Sequence, residues 1–252
     1  MMTRNTKIIC TIGPAIDNEE MLVKMFKAGM NVARLNFSHG SPKTALKQIE
    51  RIRKASEVAG KPVAIMLDTK GPEIRTGLFE KGLISLTKGD TIRIVRDDVL
   101  GNEERFTLRC KEVFDDIKEE SLVLIDDGKM RLQVVSVDEE GFMCEALTNG
   151  PIKNTKGVNI PDVKLTMPFL SEKDIADITF GVEEDLDLIS LSFVRRKEDV
   201  LEVKELVKKL GKPNMTIMSK IENKEGIENL DEILECVDGV MVARGDLGVE
   251  IP

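Results

Sequence analysis

The chain has no tryptophan, no tyrosine and a single histidine. Missing Trp and Tyr remove the usual platforms on which single-stranded nucleic acid stacks. A net charge of −8 also argues against nucleic acid as a partner. The four cysteines, Cys10, Cys110, Cys144 and Cys236, are widely scattered and form no CxxC pair. With only one histidine beside them, a zinc cage or a disulfide framework is not expected, and a reducing cytoplasm is the predicted compartment. No apolar stretch approaches the ~18–20 residues that cross a bilayer, so no membrane partner is expected. The segment Met1–Lys7 lacks the apolar core of a signal peptide. What is present, 41% hydrophobic and 33% charged residues over 252 positions, suffices for a sizeable buried core.

Four hydrophobic runs each stop in a burst of charge. They are Val32-Ala33-Arg34-Leu35-Asn36-Phe37-Ser38, Ala64-Ile65-Met66-Leu67-Asp68-Thr69-Lys70, Ile217-Met218-Ser219-Lys220-Ile221-Glu222 and Val240-Met241-Val242-Ala243-Arg244-Gly245-Asp246. In an extended strand, residues two apart point the same way. Arg34, Asn36 and Ser38 then share one side of the first run, and Lys220 and Glu222 share one side of the third. A core strand has no structural use for an inward lysine beside an inward glutamate. Strands of this kind reading toward one mouth suit a metal and a phosphate.

The chain's rhythm changes twice. From Lys7 to Lys70, strands at Ile8–Ile12, Val32–Ser38 and Val63–Thr69 alternate with helices at Asn18–Ala28, closed by Gly29, and Pro42–Ala59, ended by Gly60. This is βαβ order, which implies a parallel sheet. Gly71-Pro72 breaks it. From about Glu73 to about Val163 the period falls to two, with strands at Leu83–Leu86, Thr91–Val95, Leu122–Ile125, Arg131–Val137 and Phe142–Leu147. Asp127-Gly128 and Glu140-Gly141 stand where hairpin turns are expected. The block reads as a small, mostly antiparallel β-barrel inserted as a lid. The βα order resumes at Ser171-Glu172-Lys173-Asp174, with strands at Leu186–Val194, Met215–Glu222 and Val240–Ala243 and helices at Glu198–Leu210 and Leu230–Cys236. This gives six parallel strands, each followed by a helix except the last. Polar strand ends and no dinucleotide glycine fingerprint favour an α/β fold of the (β/α)-barrel type over a Rossmann sheet. The expected domains are residues 1–70 with 168–252 for the barrel and 71–167 for the lid.

These residues carry a resemblance. Lys7-Ile8-Ile9-Cys10-Thr11-Ile12-Gly13-Pro14, Asn31–Gly40, Leu67–Gly77, Lys156-Gly157-Val158-Asn159, Ser192-Phe193-Val194-Arg195, Ser219-Lys220-Ile221-Glu222-Asn223 and Ala243-Arg244-Gly245-Asp246-Leu247-Gly248 together resemble the pyruvate kinase family. The match runs in order over the whole chain. It implies a TIM barrel interrupted after its third strand by a β-rich lid. It also implies phosphoryl transfer from phosphoenolpyruvate to ADP, giving pyruvate and ATP in the last step of glycolysis, with Mg²⁺ (or Mn²⁺) and K⁺. A homo-oligomer, a tetramer by the same resemblance, is implied for the complete protein.

Phosphoryl transfer needs charge neutralisation and in-line positioning. The resemblance assigns Glu222 and Asp246 to Mg²⁺, a hard ion that takes a few carboxylates, substrate oxygens and water. A rim acid pair held in salt bridges is the alternative reading. Lys220 matches the residue that stabilises the transferring group and the developing enolate, a point-charge role that suits an ammonium. Arg34 is read as a catalytic phosphate clamp that also binds substrate, because its fork binds bidentately. Asn36, Ser38, Asp68 and Thr69 match the K⁺ cage, Thr69 through its carbonyl or a twisted strand end. Arg75, Lys156, Asn36 and His39 fall on the nucleotide side. Gly245, with Asp246, matches positions that meet the substrate. Arg195 is read as a structural ion-pair partner.

A closed barrel needs eight strands, and only six are read here. Without the insertion, about 155 residues remain, against the ~200 or more of a complete barrel. The expectation is an N-terminal portion that is inactive or partial on its own, lacking strands seven and eight. Two further readings stay open: a barrel lyase or aldolase that uses Mg²⁺ on an enolate, and a non-catalytic ligand-binding fragment.

Overall fold

The computed structural model describes residues 5–38, 40 and 42–251. His39 lies outside the described residues. In chain order the first elements are β1 (Ile9–Thr11), α1 (Glu19–Ala28), β2 (Val32–Asn36), α2 (Pro42–Ala59) and β3 (Ala64–Asp68). Helix α1 starts where the Asn18 side chain accepts from the Met21 N–H, and it stops at Gly29, whose φ of 119° few side-chain-bearing residues adopt. It buries Leu22 and Phe26, four residues apart, and packs against α2, which buries Ala45, Ile49, Ile52 and Ala55 along one stripe.

The insertion follows: β4 (Ile74–Arg75), β5 (Leu83–Leu86), β6 (Thr91–Val95), β7 (Arg105–Thr107), α3 (Val113–Asp116), β8 (Leu122–Ile125), β9 (Met130–Asp138), β10 (Gly141–Ala146), β11 (Gly150–Lys153) and β12 (Gly157–Asn159). Then come α4 (Glu172–Glu183), β13 (Leu188–Leu191), α5 (Lys197–Lys209), β14 (Thr216–Ile221), α6 (Lys224–Glu228), α7 (Leu230–Leu234), β15 (Gly239–Val242) and α8 (Arg244–Glu250). The expectation of no helix after the last strand is corrected by α8. Asp246 therefore sits in a helical first turn and not on an extended strand end.

The chain forms two compact units. The first runs to Gly71, from Leu170 to Lys220 and from Leu230 to Met241. Its sheet has the order β1-β2-β3-β13-β14-β15, and the pairs from β1 through β14 are parallel. This is the (β/α)-barrel order with six strands present. Register decides the faces: Asn36 lies beside Asp68, Asp68 beside Ser190, and Ser190 beside Met218. By the period of two, Arg34, Asn36, Asp68, Ser190 and Lys220 share one face. Ala33, Leu35, Ile65, Leu67, Ile189 and Ile217 occupy the other and are all buried. Helix α4 is capped by Ser171, in a reciprocal capping box with Asp174.

The second unit runs from Pro72 to Phe169, from Ile221 to Asn229, and from Val242 onward. It holds a seven-stranded sheet of order β4-β12-β8-β9-β10-β6-β7 and a two-stranded sheet of β11 and β5. The β8–β9 hairpin turns through Asp126, Asp127 and Gly128, all at positive φ, as the Asp-Gly signal predicts. Pairing is antiparallel except between β6 and β7. Its core is built from Phe79, Ile92, Ile94, Phe106, Leu132, Phe142 and neighbours.

Gly71 closes the first strand–helix run under tight restraint. Its φ is +69°, and a Cβ placed there would lie 2.5 Å from the Ser192 carbonyl oxygen. Its N–H donates to the Asp174 carboxylate at 3.0 Å. Gly71→Ala is expected to destabilise the fold by roughly 2 kcal/mol or more, since left-handed backbone strain and a backbone clash add. Chemical denaturation checks this; an unchanged midpoint would show that the junction relaxes freely.

Candidate active site

In the first unit, the shared face of the sheet ends in a charge cluster centred on Asp68, which is 1% exposed. Arg34 donates to Asp68 Oδ2 through Nε at 2.9 Å and also through its terminal nitrogen. Its other terminal nitrogen donates to the Thr11 hydroxyl at 2.7 Å. Lys220 Nζ stands 3.5 Å from Asp68 Oδ1, an oxygen that accepts no hydrogen bond. The same ammonium donates to Ser192 Oγ at 2.9 Å. A buried carboxylate between two cations is a compensated arrangement, because an unpaired charge would be costly out of water.

Asn36 accepts from the Ser38 N–H at 2.9 Å through Oδ1. Thr69 is tied to the turn after β13: its hydroxyl accepts from the Ser192 N–H at 3.0 Å, and its carbonyl accepts from the Ser192 hydroxyl at 2.7 Å. Asn36, Ser38, Asp68 and Thr69 thus follow the ends of two register-matched neighbouring strands and offer only oxygen donors. That donor chemistry suits a large monovalent cation, and Asp68 Oδ1 is a buried carboxylate oxygen that accepts no hydrogen bond.

Two residues that sequence reasoning passed over support the same face. Lys173, on α4, donates to the Phe37 carbonyl at 2.9 Å and pairs with Asp177, fixing the segment between Asn36 and Ser38. Burial pushes the Asp177 carboxyl up from its ordinary value, against the pull of Lys173. Ser192 is the other, and the period of two could have found it, since it continues the Ser190 face. Arg195 is the structural partner expected of it: buried, it pairs with Asp199 through Nε at 3.3 Å while its N–H donates to the same carboxylate.

The second unit carries the remaining positions. Glu222 is 1% exposed, directly after β14, while Asp246 is exposed in the first turn of α8. The Ala243 N–H donates to the Ile221 carbonyl at 3.2 Å, which sets the chain entering α8 beside the chain leaving β14. Among the described residues no group of three or more His, Cys, Asp and Glu forms a ready metal cage. A pair of carboxylates nonetheless fits Mg²⁺, which binds through one or two of them and fills its shell with substrate oxygens and water. Gly245 is exposed, and a Cβ added there would meet nothing within 4 Å, so its backbone is open to a ligand.

Arg75 pairs with Glu73 at 2.5 Å and donates to the Thr155 carbonyl at 2.7 Å. Lys156 pairs with Asp126 at 3.0 Å, and this hydrogen bond holds the Asp126 carboxyl below its usual range. Both cations are therefore held by partly exposed carboxylate partners.

Glu250, at the end of α8, accepts from the Asn159 side chain at 2.8 Å. Burial raises its carboxyl above the ordinary value, and the nearby Asp162 adds to the rise. A carboxyl raised on folding contributes stability below its unfolded value (about 4.3), and that contribution is lost as pH climbs through the raised one. Glu250→Gln, which copies the neutral form, is expected to raise the melting temperature at pH 7 and to leave it unchanged at pH 4. Thermal melts at the two pH values check this; a gain of equal size at both would contradict it.

A model of the pyruvate kinase barrel domain matches residues 3–252. The chain is 51% identical over 251 residues to a pyruvate kinase of Staphylococcus saprophyticus, covering 99% of this chain and 43% of that protein. A pyruvate kinase of Staphylococcus haemolyticus is also 51% identical, and one of Staphylococcus aureus is 49% identical, with the same coverage. The chain thus spans less than half the length of these relatives. No helix among the described residues is long and apolar enough to cross a membrane. A family match along essentially all of the sequence, on a parallel sheet whose polar face ends in Arg34, Asp68 and Lys220, leads to one conclusion: the chain belongs to the pyruvate kinase family.

Proposed function

We propose that this sequence, in a chain of its relatives' length, transfers the phosphoryl group of phosphoenolpyruvate to ADP, giving pyruvate and ATP. The observation that carries the reading is the Lys220 ammonium, 8% exposed, fixed between Asp68 and Ser192 with Arg34 on the same carboxylate. A preorganised cation stabilises charge that develops on the transferring group and on the enolate left behind, and it costs no reorganisation when the charge appears. Arg34 presents a second, bidentate cation to the substrate phosphate. Its hold on Asp68 keeps the fork oriented before substrate arrives.

Glu222 and Asp246 would hold Mg²⁺, which when bound supplies neutralising charge to carboxylate and phosphoryl oxygens. Asn36, Ser38, Asp68 and the Thr69 carbonyl would hold K⁺. Asp246 and the open backbone of Gly245 contact the substrate. Arg75 and Lys156 exchange Glu73 and Asp126 for nucleotide phosphates when ADP binds, with Asn36 and His39 on the nucleotide side. Residues 71–167 form the lid domain, and residues 1–70 with 168–252 form the barrel domain. The cytoplasm and a homotetramer complete the reading.

The test is ³¹P NMR of phosphoenolpyruvate with the enzyme in the presence of Mg²⁺ and K⁺. The phosphoenolpyruvate resonance should disappear only when ADP is added, as the ATP γ-phosphate resonance grows. Consumption without ADP would favour a lyase or aldolase, and binding of Mg²⁺ and phosphoenolpyruvate without turnover would favour a non-catalytic module.

A further inference from the structure

We propose that Ser192 is a positioning residue for Lys220, and that it joins the lysine to the Thr69 carbonyl through one hydroxyl. The inference rests on the phosphoryl-transfer reading for its consequence but not for its geometry. Ser192 is 3% exposed and lies in the turn directly after β13. A serine hydroxyl has one proton to give. Here that proton goes to the Thr69 carbonyl at 2.7 Å, so the oxygen facing Lys220 Nζ at 2.9 Å can only accept. Lys220 must donate, and its direction is set. A hydroxyl that donates to a carbonyl is also a better acceptor, since chained hydrogen bonds polarise one another.

The serine itself cannot swing away. Its N–H donates to the Thr69 hydroxyl at 3.0 Å, making a two-point clamp between the turn and the end of β3. Gly71 lies so close to the Ser192 carbonyl that no side chain fits between them. Phe193, next in the turn, takes φ of +57°, a strained value for an aromatic residue that persists only where surrounding structure enforces it. The lysine is thus held on one side by Asp68, a charge partner at 3.5 Å, and on the other by a rigid, directional acceptor. Asp68 fixes the charge, and Ser192 fixes where it points. Because the Thr69 carbonyl is also in the set assigned to K⁺, the serine sits between the monovalent-cation donors and the catalytic lysine.

The experiment uses Ser192→Ala in a chain of the relatives' full length, with Ser192→Cys beside it as a side chain that fills the space but accepts weakly. Two readouts are taken. One is the rate at which dilute acetic anhydride labels Lys220, measured by mass spectrometry against exposed Lys81 without substrate, nucleotide or added metal. The other is the split between kcat and KM for phosphoenolpyruvate. In Ser192→Ala the relative labelling of Lys220 should rise several-fold. Its kcat should fall roughly 10- to 100-fold with KM within about 3-fold, as a misplaced catalytic group costs rate more than binding. Ser192→Cys should fall between the two on both measures.

Unchanged labelling in Ser192→Ala overturns the proposal, whatever happens to turnover, as does a loss confined to KM. If Ser192→Ala does not fold, Ser192→Cys alone decides, with labelling equal to that of the unsubstituted protein as the overturning result. A rise in labelling in a protein that moves no phosphoryl group would uphold the positioning role and overturn the phosphoryl-transfer reading, so the two fail separately.

Discussion

Lys220→Met is expected to reduce kcat by about 100- to 1,000-fold or more, the range seen when one preorganised electrostatic donor is removed. The affinity for phosphoenolpyruvate should change far less. The reasoning is differential: a charge fixed before the reaction interacts more strongly with the transition state, where phosphoryl and enolate oxygens carry growing charge, than with the ground state. Arg34 and the two carboxylates remain to bind the substrate. Methionine fills most of the lysine's volume without its charge, so the buried site stays packed. Asp68 would lose one of its two cations and keep Arg34, whose Nε stays at hydrogen-bond distance. Steady-state kinetics with independent measurement of substrate binding checks this. A loss that fell wholly on substrate binding would show that Lys220 holds the substrate and does not act in the transition state.

Glu222→Gln or Asp246→Asn is expected to abolish Mg²⁺-dependent binding of phosphoenolpyruvate. Each substitution keeps the side chain's shape and removes one anionic oxygen ligand. Where the protein supplies only two carboxylates, the loss of either leaves a shell that water and substrate cannot complete with comparable affinity. The two variants should differ in stability although they agree in binding. Glu222 is almost fully buried, so an amide there must satisfy a new pair of donor hydrogens, whereas Asp246 is exposed and its change should be nearly silent in a melt. Titration calorimetry with Mg²⁺, with and without phosphoenolpyruvate, reads the first effect. Unchanged Mg²⁺ affinity in both variants would remove these residues from the metal site.

The legible parts of the fold are those set by local chemistry. Helix α1 could be bounded from Asn18 and Gly29, and the start of α4 placed from Ser171 and Asp174, because a cap is a contact between near neighbours in sequence. Strands β5, β6 and β8 could be bounded from β-branched and aliphatic alternation. Helix α8 was not legible: seven residues holding Gly245 and Gly248 have poor intrinsic helix propensity and show too few turns for a period. Strands β4 and β12 are two and three residues long, and they exist because Ile74 and Arg75 meet Val158 and Gly157 from far along the chain. No local pattern encodes that meeting.

The same division holds at the site. Arg34, Asn36, Asp68 and Lys220 could be placed on one face because alternation in a strand is local. The partners that orient them could not. Ser192 meets Thr69 across 123 positions, and Lys173 meets the Phe37 carbonyl across 136. Each of these contacts depends on the strand order β1-β2-β3-β13-β14-β15 and on the fit of α4 against it. A serine in a turn and a lysine on a helix look ordinary until that order is known.

The metal assignment can be read from the anomalous difference map of a crystal of the full-length enzyme grown with Mn²⁺ and phosphoenolpyruvate. A metal peak at the carboxylates of Glu222 and Asp246 is the expected result. A metal peak away from both carboxylates, with substrate bound elsewhere in the protein, would contradict it.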